Sequence, residues 1–183
     1  MSEVSIVVLL LVAVSSHAFA QSKHSTYVGQ ERREIKSLSS EDIEGYLTGQ
    51  GMGFAKAAEL NRYPGPKHVL QLAEELRLSR GQVEKTRAVF DEMQRDAVSI
   101  GRLVVEKEKI LDSLFANQKI DKTKLSDIVV EIGRLEGELR TVHLKAHLDM
   151  RKILTTHQID RYDEIRGYTG DEGEILHRHP GGH

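Results

Sequence analysis

Two histidines, His143 and His147, come closest in this chain to the spacing of a metal site. They are four residues apart in a stretch that reads as helix, so both imidazoles lie on one helix face and are able to share a metal ion. A hydrolytic zinc helix has the pattern His-Glu-x-x-His, in which the Glu is the general base. Leu144 occupies that position here, and two ligands fall short of a closed zinc site. The pair is therefore either a structural or sensory metal site or two histidines that flank an apolar helix seam.

A second group of histidines, His177, His179 and His183, falls within the last seven residues. A His-rich tract binds Zn, Ni or Cu through imidazole nitrogens. The alternative is a solvated tail that binds metals only when they are abundant. The sequence therefore requires no cofactor, and Zn, Ni and Cu are the metals that these histidines suit.

Other catalytic chemistry is absent from the sequence. The chain has no Cys, which excludes thiol nucleophiles, disulfides and Cys-based metal sites. The glycine-rich stretch 49–53 lacks the Gly-Lys-Ser/Thr of a phosphate loop and any βαβ context, so it predicts a turn between helices. There are 26 Lys and Arg against 28 Asp and Glu, a balance that gives no reason to expect nucleic acid as a partner. We predict that the protein is not an enzyme.

One short phrase occurs twice and must position everything between its copies. Its copies comprise Leu78, Ser79, Gln82 and Val83, and Leu154, Thr155, Gln158 and Ile159. The Ser or Thr caps the first free N–H groups of a helix, and the Gln three residues later reaches back to the cap, which is a capping box. The flanking apolar pair is spaced as a hydrophobic staple. Each copy therefore predicts a helix start and fixes the angle at which the chain enters it.

The residues between the two copies predict an all-α fold built on a long antiparallel helical hairpin. A first helix of about 37 residues, about 55 Å long, follows Ser79, and a turn at 116–119 leads to a return helix capped by Asp121. The return helix carries an apolar seam that consists of Leu125, Ile128, Ile132, Leu135, Leu139, Val142, Ala146 and Ile153. The second copy of the phrase breaks this helix and begins a last one that ends at Gly167. Short helices over 40–47, 54–60 and 67–77 precede the hairpin.

The first twenty residues predict that the protein is exported. Residues 1–20 combine an aliphatic run with Ala18-Phe19-Ala20, which suits cleavage after Ala20 and a periplasmic location. The mature chain then divides into a flexible arm over 21–37, a helical domain over 38–168 and a disordered His-rich tail over 169–183. The mixed charges of 106–109 predict a solvated helix face.

The two phrases resemble a family. Leu78-Ser79-Arg80-Gly81-Gln82 and Leu154-Thr155-Thr156-His157-Gln158 are similar to the paired LTxxQ motifs of the Spy/CpxP family, small α-helical periplasmic proteins of Gram-negative bacteria. Several further stretches resemble a subgroup carried under that family name: 51–61, Tyr63-Pro64-Gly65-Pro66, 68–70, 139–144, 146–148 and 166–168. The likeness covers about Leu38 to Tyr168, although the first motif has Ser79 where Thr is usual.

This resemblance implies a cradle-shaped antiparallel homodimer that presents a concave face to unfolded client proteins without ATP. We therefore expect a periplasmic chaperone or holdase that acts under envelope stress. A first alternative, also implied by the resemblance, is a sensor of Zn, Ni or Cu or an accessory regulator of a membrane sensor kinase. A purely structural coiled-coil protein is the second alternative.

Overall fold

The fold comes from a computed structural model that describes residues 25–169 and is all-helical over that range. A 3₁₀ turn at Gln30–Arg32 is followed by α1 (Ser40–Thr48), α2 (Lys56–Glu59), α3 (Pro66–Gln71), α4 (Arg80–Ala116), α5 (Lys122–Ile153) and α6 (Thr156–Arg166). The signal peptide predicted over 1–20 and the three tail histidines lie outside the described residues. Within 25–169 no helix combines the length and the apolar character needed to cross a membrane. The predicted all-α fold is confirmed.

The long hairpin forms as predicted. Helix α4 has 37 residues and α5 has 32, and the two pack against each other after a short turn. The turn places Gln118 in the left-handed region at φ 54°, and the Asp121 carboxylate caps α5 by accepting from the backbone N–H of Lys124 at 2.9 Å. These two local features reverse the chain and begin the return helix.

Three helices begin with the capping box that the sequence predicts. Ser39 pairs with Asp42 at α1, Ser79 with Gln82 at α4, and Thr155 with Gln158 at α6. In each box the hydroxyl oxygen accepts from the backbone N–H three residues on, while that residue's side chain accepts from the N–H of the cap. Each cap stabilises its helix by about 1 kcal/mol and fixes where the helix starts.

The hydrophobic core consists of two clusters, both outside the tip of the hairpin. The base cluster joins α3, α5 and α6 and consists of Val69, Leu76, Met150, Leu154, Ile159 and Tyr162. The middle cluster joins α1, α4 and α5 and consists of Tyr46, Ala97, Val104, Leu135 and Leu139. The predicted seam is wrong at Leu125, which is 38% exposed, and it omits Met150, which is fully buried. Leu125 lies in the first turn of α5, before the first buried residue of that helix, so a seam residue there is not enclosed.

Helix α1 rests on α4 through a very close backbone contact. A Cβ atom built on Gly101 would lie 2.2 Å from the carbonyl oxygen of Tyr46, so only glycine fits at this point. Helix α1 then ends at Gly49, whose φ of 63° is left-handed. The prediction that the glycine-rich stretch 49–53 forms a turn between helices is confirmed, because Gly53 is also left-handed at φ 80°.

The described part of the N-terminal arm differs from the flexible segment expected over 21–37. Ile35 is 2% exposed, Lys36 Nζ lies 3.1 Å from a carboxylate oxygen of Asp112, and the Ser37 hydroxyl donates to Glu108 at 2.7 Å. Lys109 pairs with Glu34 at 2.6 Å, so part of the charged run 106–109 binds the arm and is not simply solvated. The charges of arm and helix are complementary, and one apolar side chain is buried between them and the rest of the fold.

Helix α3 is shorter than predicted. It ends at Gln71, and the chain turns through 72–77 to reach Arg77 at φ 48°. The N–H of Leu78 donates to the carbonyl of Ala73 at 2.9 Å, which closes this turn. Leu76 is thereby buried in the base cluster next to the first copy of the phrase.

Candidate functional site

The two copies of the repeated phrase meet in space through their glutamines. Gln82 Nε2 donates to Gln158 Oε1 at 2.8 Å, and Gln158 Nε2 donates to Gln82 Oε1 at 3.1 Å. Gln82 Nε2 also donates to the carbonyl of Ile153 at 3.0 Å, and Gln158 Nε2 to that of Leu76 at 3.2 Å. Each amide oxygen still accepts from the N–H of its own cap. The pair therefore joins the start of α4, the end of α5 and the start of α6.

The capping role of these residues was predictable from the sequence, but their pairing was not. Capping is local, whereas Gln82 and Gln158 are 76 residues apart and meet only because the hairpin returns. The side-chain amides of Gln82 and Gln158 use both their nitrogen and their oxygen atoms in these hydrogen bonds. The phrase is thus a positioning device and carries no reactive group of its own.

The structure buries both histidines of the candidate metal pair. His143 is 3% exposed and its ring stacks on that of Phe54, with centroids 5.8 Å apart and planes at 16°. Its Nε2 atom has no hydrogen-bond partner in the described part of the chain. Burial, followed by the nearby His147, holds the pKa of His143 below its usual value, so the imidazole is neutral at pH 7.

His147 is 7% exposed and is held by the backbone of the Tyr63-Pro64-Gly65-Pro66 turn. Its Nδ1 lies 2.6 Å from the carbonyl oxygen of Tyr63. A carbonyl only accepts, so Nδ1 carries the proton and the lone pair of the neutral ring is at Nε2. Gly65 leaves room for this ring, because a Cβ there would lie 3.0 Å from its Cε1 atom.

A partly buried glutamate that sequence reasoning missed lies beside these histidines. Glu59 Oε1 accepts from the hydroxyls of Tyr162 and Tyr168, and Oε2 accepts from the N–H of Gly65 at 3.1 Å. Oε2 is also 3.8 Å from Nδ1 of His147. Glu59 therefore ties α2 to α5, to α6 and to the residues after α6. No spacing rule marks it, since its partners are up to 109 residues away.

The donor set for a metal is incomplete in the part of the chain that the structure describes. Within 25–169 no three His, Asp or Glu side chains are grouped so that they could hold an ion. Two imidazoles alone do not make a closed Zn, Ni or Cu site. The tail histidines of the prediction, His177, His179 and His183, lie outside the described residues.

The buried His143 makes stability depend on pH. A histidine whose folded-state pKa is lowered is protonated more readily in the unfolded chain than in the folded one. The free energy of unfolding therefore falls as the pH drops below 6.5, the ordinary pKa of histidine. We expect that loss in urea unfolding curves recorded between about pH 7 and about pH 5. His143→Leu should flatten it, and the exposed His157→Gln should leave it unchanged. Equal slopes in all three proteins would contradict the assignment to His143.

The tip of the hairpin exposes the largest concentration of apolar side chains among the described residues. Beyond Val104 no residue of α4 is buried, and before Ile128 none of α5 is. Six large apolar side chains between residues 103 and 130, here called the distal surface, are more than one third exposed: Leu103, Ile110, Phe115, Leu125, Val129 and Val130. The tip is thus an apolar surface that the described chain does not cover.

Comparisons of the chain with protein-family models, with curated proteins and with solved structures found no match.

Proposed function

We propose that the protein is an ATP-independent periplasmic chaperone of the Spy/CpxP type, which binds unfolded or aggregation-prone proteins through the distal surface. The observation that carries this proposal is the six exposed apolar side chains of the distal surface, in a stretch where only Val104 and Ile128 are buried. Contiguous exposed apolar surface marks interaction sites in soluble proteins. Unfolded clients expose apolar segments of the same chemistry, so the two surfaces are complementary.

The surroundings of the distal surface favour weak, exchangeable contacts. Val130 is 69% exposed, and one residue further on Glu131 pairs with Arg134 at 2.9 Å, with both side chains still in solvent. Arg102, next to Leu103, is also exposed. Long basic side chains cover apolar surface with their stems while their charge stays hydrated. Such a surface holds a client without a deep pocket and releases it when the client folds.

We further propose that the protein acts as a homodimer. A two-helix tip with large apolar side chains on both helices has more apolar surface than one copy encloses, and a second copy would cover part of it. Light scattering on the purified protein tests this proposal. A mass of one chain at micromolar concentration would contradict it.

The chaperone proposal is tested by suppression of aggregation. The purified protein should prevent light scattering from an unrelated, chemically unfolded protein at near-stoichiometric amounts and without ATP. An inert globular protein at equal mass should have no such effect. No protection at about a tenfold excess would contradict the proposal, because mass action should then favour the bound client.

A metal-responsive regulator of a membrane sensor kinase is a second candidate. The observation that favours it is the unpartnered Nε2 of His143, one helical turn from the imidazole of His147. Calorimetry with Zn²⁺, Ni²⁺ and Cu²⁺ compares the full chain, His143→Leu and a variant that ends at Thr169. The comparison distinguishes metal binding by the His143 and His147 pair from metal binding by the tail histidines. A dissociation constant weaker than about 10 µM for all three metals would contradict a dedicated site. A purely structural coiled-coil role predicts neither client nor metal binding.

A further inference from the structure

A cavity of about 510 Å³ lies beside the Glu59 cluster, and none of the residues of the distal surface lines it. The stretch 48–53, α2, the start of α3, the middle of α4, the two histidines of α5 and the residues around Tyr168 form its wall. Its volume is within the range of sites that bind small molecules. It is separate from the surface proposed to bind clients, so the two proposals can fail independently.

The body of the cavity is apolar. Met52, Leu60, Pro66, Phe90 and Met93 contribute to its wall. Met52 is 38% exposed, and an unbranched thioether side chain adapts its shape to what lies against it. A ligand that fits this space therefore has an apolar body.

The charges that face the cavity are unbalanced towards the positive. Lys56, Lys67 and Arg166 line it. Arg166 Nε lies 3.6 Å from Glu59 Oε1, and within residues 25–169 neither lysine has an ion-pair partner. Glu59 is the one acid in the wall, and both of its oxygens already accept hydrogen bonds from Tyr162, Tyr168 and Gly65. The free charge at this site therefore favours an anionic group.

His143 supplies an independent sign that a ligand binds here. It lines the cavity, it is 97% buried, and its Nε2 lacks a partner among the described residues. Buried polar atoms without partners are rare in folded proteins. A neutral imidazole whose proton is at Nε2 donates it to an oxygen of a bound molecule.

We propose that this cavity binds a small amphipathic carboxylate, that is, an alkyl or aryl acid. Its apolar body lies against Met52, Phe90 and Met93, and its carboxylate is held by Lys56 and Lys67. Occupation of the site would brace α2 and the stretch 48–53 against α4 and α5.

The test is calorimetry of the purified full chain with matched probes. Decanoate stands for the alkyl acids and cinnamate for the aryl acids, while 1-decanol and decyltrimethylammonium have the same alkyl chain as decanoate without the negative charge. We expect at least one acid to bind with a dissociation constant below about 100 µM, and decanol and the cation to bind at least about tenfold more weakly. The double variant Lys56→Gln, Lys67→Gln should weaken acid binding about tenfold, and the exposed pair Lys85→Gln, Lys145→Gln should not change it.

Three results would overturn this proposal. The first is the absence of binding by both acids at about 1 mM. The second is equal affinity for decanoate and decanol, which would show an apolar cavity that does not recognise a carboxylate. The third is binding only by a variant that ends at Thr169, because the occupant of the cavity would then be the chain's own C-terminal segment.

Discussion

Gly101→Ala is expected to lower the free energy of unfolding by about 3 kcal/mol, the upper part of the range for overpacked sites. The added Cβ would lie 2.2 Å from the Tyr46 carbonyl oxygen and 2.8 Å from its carbonyl carbon. These are backbone atoms of α1, so no side-chain rotation relieves the contact and the helix itself must move. Tyr46 belongs to the middle cluster, and that movement would separate it from Ala97 and Val104. Urea unfolding followed by circular dichroism measures the loss.

Gly133→Ala is the matched control for this substitution. Gly133 is an exposed residue inside α5, and a Cβ built there meets no atom within 4 Å. Alanine in an unstrained helix interior should raise the free energy of unfolding by about 0.5–1 kcal/mol. We therefore expect Gly101→Ala to lower the free energy of unfolding and Gly133→Ala to raise it. A Gly101→Ala protein as stable as the parent would show that α1 does not rest on α4 at this point.

Gln82→Ala is expected to cost about 2–3 kcal/mol, more than an isolated cap. It removes the capping acceptor at Ser79, worth about 1 kcal/mol, and it leaves the amide of Gln158 and the carbonyl of Ile153 without their partner, which costs a further 1–2 kcal/mol or so. Gln158→Ala should have a similar effect, since its contacts are the mirror of these. Equilibrium unfolding of both single variants provides the measurement.

The double variant Gln82→Ala, Gln158→Ala distinguishes the energy of the hydrogen bonds between the two glutamines from the energy of the two capping boxes. If the amides pair, the double variant costs less than the sum of the single variants by about 1 kcal/mol, because the second substitution removes a group that the first had already left unsatisfied. Gln82→Ala combined with Gln30→Ala, a residue of the N-terminal arm, should be additive. Additivity in both cycles would contradict the reciprocal hydrogen bonds.

Local chemistry made much of the fold predictable. The three capping boxes, the Asp121 cap and the glycines at 49 and 167 mark helix ends, and each depends only on residues within a few positions. The apolar seams of α4 and α5 repeat at the helical period, which predicts a hairpin without knowledge of the rest. The end of α3 at Gln71 was missed because no residue type in 72–77 indicates that the helix stops there or that Arg77 adopts φ 48°.

The candidate sites depend on contacts that the sequence does not encode locally. The unpartnered Nε2 of His143 results from the packing of Phe54 against α5, and the Glu59 cluster joins residues from α2, α5 and the chain after α6. Burial of Ile35 likewise requires the position of the arm along α4, which opposite charges on Lys36 and Asp112 help to set. Spacing singled out His143 and His147 but did not predict their surroundings, and their surroundings decide what they can bind.

The central claim, that clients bind the distal surface, is tested most directly by comparing two triple variants in the aggregation assay. One carries Phe115→Gln, Val129→Gln and Val130→Gln at the tip, and the other carries Leu47→Gln, Leu60→Gln and Leu148→Gln at equally exposed apolar sites elsewhere. All six side chains are more than one third exposed, so both proteins should unfold at the parent's urea midpoint. The account predicts that the tip variant requires at least about fivefold more protein for half protection, because each lost side chain removes about 1 kcal/mol of apolar contact, while the other variant protects as the parent does. Equal protection by both variants would contradict it.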